Sequence, residues 1–297
     1  MKEAMNIKRT SFLSVAGALL LAGCAQDSDS SSGREPDADI ARRTDARGLA
    51  FPLDGYRNST DEERALDQAI DMLSANCMRK YGLEYDVASG SNPEGIPERR
   101  PYGVTDEGDA RQYGYRHPGA AKPQPKSEVP TTKEEDEVLL GQVKEHEGIP
   151  VPRGGCLRKS SRKILANGPK GVDMRLADNL ILEASDQARN DSRVRSVFRK
   201  WSSCMKDKGF SYETPVNVMD GRGEGDSEVV STREKNLAVA DVKCKKKGNV
   251  VGVWSSVEIA YQRKEVEENA TALSEVKAKL KKQVSAANRV LSGQVDN

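Results

Sequence analysis

A chain of 297 residues allows one or two domains, and a charged content of 31% with a mean hydropathy of −0.70 excludes a multi-span membrane protein. The formal net charge of +1 withholds the positive field on which nucleic-acid affinity rests, so no nucleic acid is expected as a partner. Leu, Ile, Val and Phe are sparse, although near-neutral charge works against disorder, so the expected interior is thin and in need of cross-links.

Lys2, Lys8 and Arg9 precede an apolar run over residues 12–21. Spanning a bilayer takes about 20 apolar residues, twice what this run offers, so the pattern is that of an export signal. It ends in Leu21-Ala22-Gly23-Cys24, which looks like the lipobox of bacterial lipoproteins: small residues fit the peptidase, and Cys24 becomes the lipidated first residue of the mature chain. Two or more acyl chains of the palmitate type make such an anchor stable, at about 0.8 kcal/mol per buried CH₂. The expected organisation therefore starts with a signal peptide over 1–23 and a lipidated, disordered tether over 24–54, with the remainder on the outer face of the cytoplasmic membrane.

Cys77, Cys156, Cys204 and Cys244 remain, an even number in an oxidising compartment, where thiols pair. Their pairing follows from an internal repeat. Cys77-Met78 and Cys204-Met205 are each followed, at matching distances, by a basic residue, a glycine (Gly82, Gly209), an apolar residue (Leu83, Phe210) and a tyrosine (Tyr85, Tyr212). Equivalent cysteines should each close onto the next one in their own unit, giving Cys77 with Cys156 and Cys204 with Cys244. Zinc is the competing reading, and none of the spacings is of the short kind that metal sites use.

Thr60 with Glu63 forms a capping box, and Leu66, Ala69, Ile70, Leu73 and Cys77 follow helical spacing until Gly82. Residues 89–133 are rich in Gly, Pro and Tyr and predict an irregular excursion; residues 133–147 predict a short acidic helix, and Cys156 opens another over 157–166. Asp173 to Arg189 carries a helical stripe, Asp191 caps the next helix through Val194, Val197, Phe198, Trp201 and Cys204, and Ser231 with Glu234 caps a third that bears Leu237, Ala240 and Cys244. Residues 253–291 read as one long helix packed along the others, or as a pair bent near Asn269. The fold class is mainly α: a first cysteine-helix unit over 55–170, a second over 171–248, and a long C-terminal helix over 249–297.

No catalytic constellation emerges. His117 and His146 sit in no metal or triad pattern, and no metal or cofactor is expected. Ser160-x-x-Lys163 matches the nucleophile motif of penicillin-interactive enzymes, but Ser203 to Lys206 and Ser274 to Lys277 match as well and the companion motifs are missing. The carboxylates of residues 220–228 invite Ca²⁺, but Arg222 and Ser231 occupy ligand places of the EF-hand pattern, so a flexible loop is expected. Lys243, Lys245, Lys246 and Lys247 form a basic cluster at a helix end, where the helix dipole favours cations.

The Cys24 ending, the paired C-M-x-x-x-G-x-x-Y motifs and the run Ala238-Val239-Ala240-Asp241-Val242-Lys243-Cys244 before a long charged helix resemble uncharacterised surface lipoproteins of actinobacteria. The resemblance implies export and lipidation and carries no activity. The functional expectation is a non-catalytic lipoprotein, held by its membrane anchor, that binds an envelope component or partner protein. The alternatives are a solute-binding lipoprotein of an importer, which needs alternating strands and helices, and an envelope hydrolase built on Ser160.

Overall fold

Two helix ends with the same backbone geometry organise the structure. In the computed structural model, which describes residues 34–85, 102–117, 132–220 and 230–294, α1 (Thr60–Met78) passes into a 3-10 turn (Arg79–Tyr81) that ends at Gly82, whose φ is 68°. The Gly82 N–H donates to the Arg79 carbonyl at 3.2 Å and the Leu83 N–H to the Met78 carbonyl at 3.3 Å. At the other end of the repeat, the Gly209 N–H donates to the Lys206 carbonyl at 2.9 Å and the Phe210 N–H to the Met205 carbonyl at 3.0 Å, with φ of 83° at Gly209. Both are Schellman closures, in which a left-handed glycine returns the chain and an apolar residue beyond it packs on the helix. Met78 and Met205 are fully buried, and Leu83 and Phe210 lie against the same clusters as those methionines. The recurring Cys-Met then has a physical reading: methionine anchors the closure while the cysteine before it faces the next helix.

The bridges join Cys77 to Cys156, with Cα atoms 5.6 Å apart, and Cys204 to Cys244, 5.7 Å apart. Between the first pair lie α2 (Glu107–Tyr113), α3 (Lys133–Leu140), a hairpin of β1 (Glu145–His146) with β2 (Ile149–Pro150), and the start of α4 (Gly155–Leu165). Glu147 and Gly148 turn the hairpin, both with positive φ, as a two-residue turn of that kind requires. Then follow α5 (Leu176–Asn190), α6 (Ser192–Lys206), α7 (Pro215–Asp220), α8 (Thr232–Gly248), α9 (Val250–Glu268) and α10 (Ala270–Leu291). All described residues except Arg34 and Glu35 belong to one compact unit spanning residues 36–297.

The C-terminal segment is divided between the halves. Asn269 (φ −112°, ψ 18°) interrupts it, and the Glu265 carbonyl accepts both the Asn269 backbone N–H at 3.0 Å and the Asn269 side-chain amide at 2.9 Å. Helix α10 packs on α1 and α4 through Leu66, Ala69, Ile164, Ala287 and Val290. Helix α9 packs on α5, α6 and α8, where Ala184, Ala188, Val194, Trp201, Val250, Trp254 and Val257 form the largest core cluster. It is buried on nearly every side, including Ser255, Ser256, Glu258 and Gln262, as a central helix must be. The single long helix over 249–297 is thus two helices: α9 packs in the second cysteine unit, and α10 packs mainly on the first, with Leu273 also meeting Ala177 and Leu180 of α5.

Three further expectations are corrected. Residues 36–53, expected to be part of a disordered tether over 24–54, lie instead along α9: the Ala41 N–H donates to Ser256 Oγ at 3.1 Å, the Arg43 N–H to Asn249 Oδ1 at 3.0 Å, and the Leu53 N–H to Gln262 Oε1 at 3.2 Å. Phe51 packs against the core, and Leu53 is fully buried. The excursion over 89–133 is not wholly irregular: Asp106 caps α2, accepting from the Asp109 N–H at 2.9 Å, and Val104 and Ala110 pack on Ala238 and Val242 of α8. At the start of α1 the capping box is Ser59 with Glu62 instead of Thr60 with Glu63, both of which satisfy the same spacing.

Candidate functional site

Helices α1 and α4 are stapled side by side by the first bridge, and a cleft of about 330 Å³ opens along their contact. Its apolar lining comes from Leu73 and Cys77, both buried and one helical turn apart on α1, and from the exposed Ala166 just past the end of α4. Around these stand Lys80 in the 3-10 turn after α1 and Lys159, Arg162 and Lys163 on α4. Lys80, Lys159 and Arg162 are exposed, and among the described residues no carboxylate lines the cleft. The placement of the lysines is helical arithmetic: Lys80 follows Cys77 by three residues, and Lys159 and Lys163 follow Cys156 by three and seven, so these lysines share the face of the bridged cysteine, whereas Arg162, six residues beyond Cys156, does not. The cleft thus combines apolar and basic lining.

Ser160 borders this cleft with Lys163, whereas Ser203, Lys206, Ser274 and Lys277 of the other two S-x-x-K matches are exposed on α6 and α10. Ser160 is buried at 3% exposure, so its hydroxyl lies toward the helix contact and offers little surface to a substrate.

A second polar cluster lies in the main core. Lys245 and Asp241, one turn apart on α8, pair at 2.8 Å with side chains 1% and 0% exposed. The Lys245 ammonium also donates to the carbonyls of Tyr102 at 2.8 Å and Val104 at 3.3 Å. Asp241 accepts from Trp201 Nε1 at 2.9 Å and from the Tyr115 hydroxyl at 3.2 Å. On the other side of Tyr102, its hydroxyl donates to Glu258 at 2.8 Å, while its ring meets Trp254 edge-on with centroids 4.9 Å apart. Burial pushes the Glu258 carboxyl above its ordinary range, against the lowering pull of the Tyr102 hydrogen bond, and burial also raises the Tyr102 phenol. These charges are sealed from solvent. Their chemistry is that of a clamp that holds residues 102–115 on α8 and α9, and no substrate reaches them.

Near the start of α6, Asp191 accepts from Arg193 side-chain and backbone donors and from the Tyr261 hydroxyl at 3.4 Å. Burial works to raise its carboxyl, and the Arg193 hydrogen bonds and charge outweigh it and hold the carboxyl below its ordinary range.

The expected basic cluster of α8 is divided: Lys245 is interior, and Lys243 meets Glu107 at 3.5 Å. His146 packs edge-on against Tyr81, and His117 ends the described Tyr-rich segment. Among the described residues no three His, Cys, Asp or Glu side chains converge as a metal site, and no helix is long and apolar enough to cross a membrane. Cys24 and residues 221–228 of the acidic loop lie outside the described residues. The cationic cleft was not anticipated from the sequence, although the basic residues one turn beyond Cys77 and Cys156 were a usable signal. In comparisons of the chain with protein-family models, curated proteins and solved structures, nothing matched.

Proposed function

We propose that the chain is an exported lipoprotein, anchored through Cys24 to the outer face of the cytoplasmic membrane, which acts by binding an envelope component and performs no catalysis. The observation that carries this reading is the Leu21-Ala22-Gly23-Cys24 ending behind a short apolar run, in a chain whose other four cysteines are bridged within the folded unit. Such bridges persist where thiols are oxidised, which suits an extracytoplasmic protein. The resemblance of the paired cysteine motifs to actinobacterial surface lipoproteins points the same way. The cleft between α1 and α4 supplies a place to bind, and the sealed Asp241–Lys245 cluster supplies none to react.

An importer's binding protein would alternate strands and helices in two lobes, and the described residues hold a single hairpin of two-residue strands. A serine hydrolase would need Ser160 within reach of substrate, and its burial opposes that.

Metabolic labelling with an alkyne fatty acid tests the anchor. The expected result is label in the membrane fraction that disappears in Cys24→Ala; an unlabelled, uncleaved chain in the cytosol would contradict it.

A further inference from the structure

Helix α6 buries Val194, Phe198, Trp201 and Met205 on one side and turns a face of one charge sign to solvent. Of its residues that are exposed, four are cations (Arg195, Arg199, Lys200 and Lys206) and two are serines (Ser192 and Ser203). Arg195 and Arg199 are one turn apart and Lys206 follows two turns later, so the charges form a stripe about 16 Å long, flanked by Lys200. Between Ser192 and Lys206 the sequence has no Asp or Glu, although across the whole chain acidic and basic residues nearly balance. Asp191, just before the helix, is buried against Arg193 and Tyr261, and the exposed Asp207 lies just past the other end. A basic side chain on a helix is ordinarily a solvated charge, and the helix dipole accounts for Lys206 in the last turn. The dipole works against Arg195 near the N-terminus, so helix stability gives no reason for the stripe to begin there.

Helices α4 and α10 also expose basic side chains, and what sets α6 apart is where the chain enters the fold. The Arg193 guanidinium donates to the Pro36 carbonyl at 2.8 Å, so the folded unit that begins at Pro36 starts beside the first turn of α6. Pro36 follows Cys24 by twelve residues, a span of at most about 40 Å, so a lipidated Cys24 keeps this end of α6 near the lipid head groups. On α10, by contrast, Lys281 and Arg289 line a groove together with the carboxylate-bearing Glu62 of α1. We propose that α6 docks through Arg195, Arg199, Lys200 and Lys206 on the anionic phospholipid surface in which Cys24 is anchored, which lays the folded unit on the membrane by one face. Anchor and basic face reinforce each other, because the first holds the second within reach of the negative surface potential. An anionic wall polymer would meet the same charges, but nothing directs it to the end of the fold at which the anchored segment arrives. The docking depends on the anchor proposed above for its proximity and adds to it a second contact with the same membrane.

The test is lysine acylation by a water-soluble succinimidyl ester, read by peptide mass spectrometry, on the full chain mixed with an excess of nanodiscs made of phosphatidylcholine alone or with phosphatidylglycerol added. Lys200 and Lys206 should react at least about fivefold more slowly on the anionic discs, and salt at about 1 M, where screening acts within about 3 Å, should abolish the difference. Lys159 of α4 and Lys281 of α10, both exposed, should react alike on the two kinds of disc. Arg195→Gln combined with Arg199→Gln keeps both reporter lysines and should remove most of their protection; both sites are exposed, and unchanged circular dichroism and melting confirm that the variant is folded. No slowing, equal slowing on neutral discs, or equal slowing of Lys159 and Lys281 overturns the proposal. Equal protection by soluble polyphosphate at the same phosphate concentration overturns it as well, because the face would then be a site for anionic polymers. Acyl label at Cys24 without protection removes the docking face and leaves the anchor; protection without label removes the anchor and leaves the docking face.

Discussion

Lys245 shows how much one side chain can hold. Its ammonium is 1% exposed, pairs with Asp241, and reaches the carbonyls of Tyr102 and Val104 from the opposite side. Lys245→Met removes the cation and leaves Asp241 charged in the core, facing only the Trp201 and Tyr115 donors. Breaking a buried pair from one side costs about 3–5 kcal/mol, whereas replacing both partners is much milder. Urea denaturation should therefore show Lys245→Met to be strongly destabilised and Asp241→Asn with Lys245→Met to recover much of the loss; a single variant within 1 kcal/mol of the parent, by the same measure, would show that the pair contributes little. Glu258 gives the pH counterpart. Burial raises its folded-state carboxyl above that of the unfolded chain, so its contribution to stability is full below the unfolded value and is lost as pH climbs through the raised folded one. Glu258→Gln keeps an acceptor for the Tyr102 hydroxyl and removes the titration. Melting temperature plotted from acid to neutral pH should fall less steeply in this variant than in the parent. Parallel curves would mean that Glu258 does not titrate in this range. Neither side chain could be singled out from the sequence: an Asp and a Lys four residues apart on a helix ordinarily read as a surface pair.

At the level of elements, the best-read helices were those with both a cap and a dense apolar stripe. Asp191 caps α6 and Ser231 caps α8 as their spacing requires, and Val194, Val197, Phe198, Trp201 and Met205 are the buried face of α6. Where the reading failed, the contacts run through the backbone and leave little trace in side-chain pattern. Residues 36–53 attach to α9 through their amides to Ser256, Asn249 and Gln262, so a stretch without apolar periodicity looked like free tether. The Glu234 carboxylate, expected to close a capping box on Ser231, instead accepts from the Tyr115 N–H at 3.2 Å and serves the α2 segment. Close approach at Gly252 makes the attachment of residues 36–53 testable. A Cβ there would stand 2.2 Å from the Ala41 carbonyl oxygen, so Gly252→Ala must push that segment away from α9. The expected cost is about 1–3 kcal/mol. Amide exchange at Ala41 and Arg43 should accelerate well beyond that of the α5–α9 core. If both amides exchange as slowly as in the parent, the segment is not held in this way.

For the whole molecule, the governing feature is duplication: a helix that ends in a left-handed glycine, a buried methionine in the closure, and a cysteine that ties the helix to the next one. Each half then takes most of one of the two C-terminal helices, α10 with α1 and α4, α9 with α5, α6 and α8, and Leu273 of α10 also packs on α5. The two bridges enclose sequence separations of 79 and 40 residues, and on the chain-entropy model each stabilises by about 4 kcal/mol, less whatever strain and residual structure remove. This suits a chain whose large apolar side chains are few, and it requires surroundings in which thiols stay oxidised. The pairing was legible because the repeat is written in residue types, whereas the cleft was not, because it exists only once α1 and α4 lie together. The most direct measurement is a non-reducing peptide map of the protein isolated from its native cells. Peptides linking Cys77 to Cys156 and Cys204 to Cys244 are expected, with no free thiol at those positions; crossed links or unmodified cysteines would contradict the duplicated, bridged architecture.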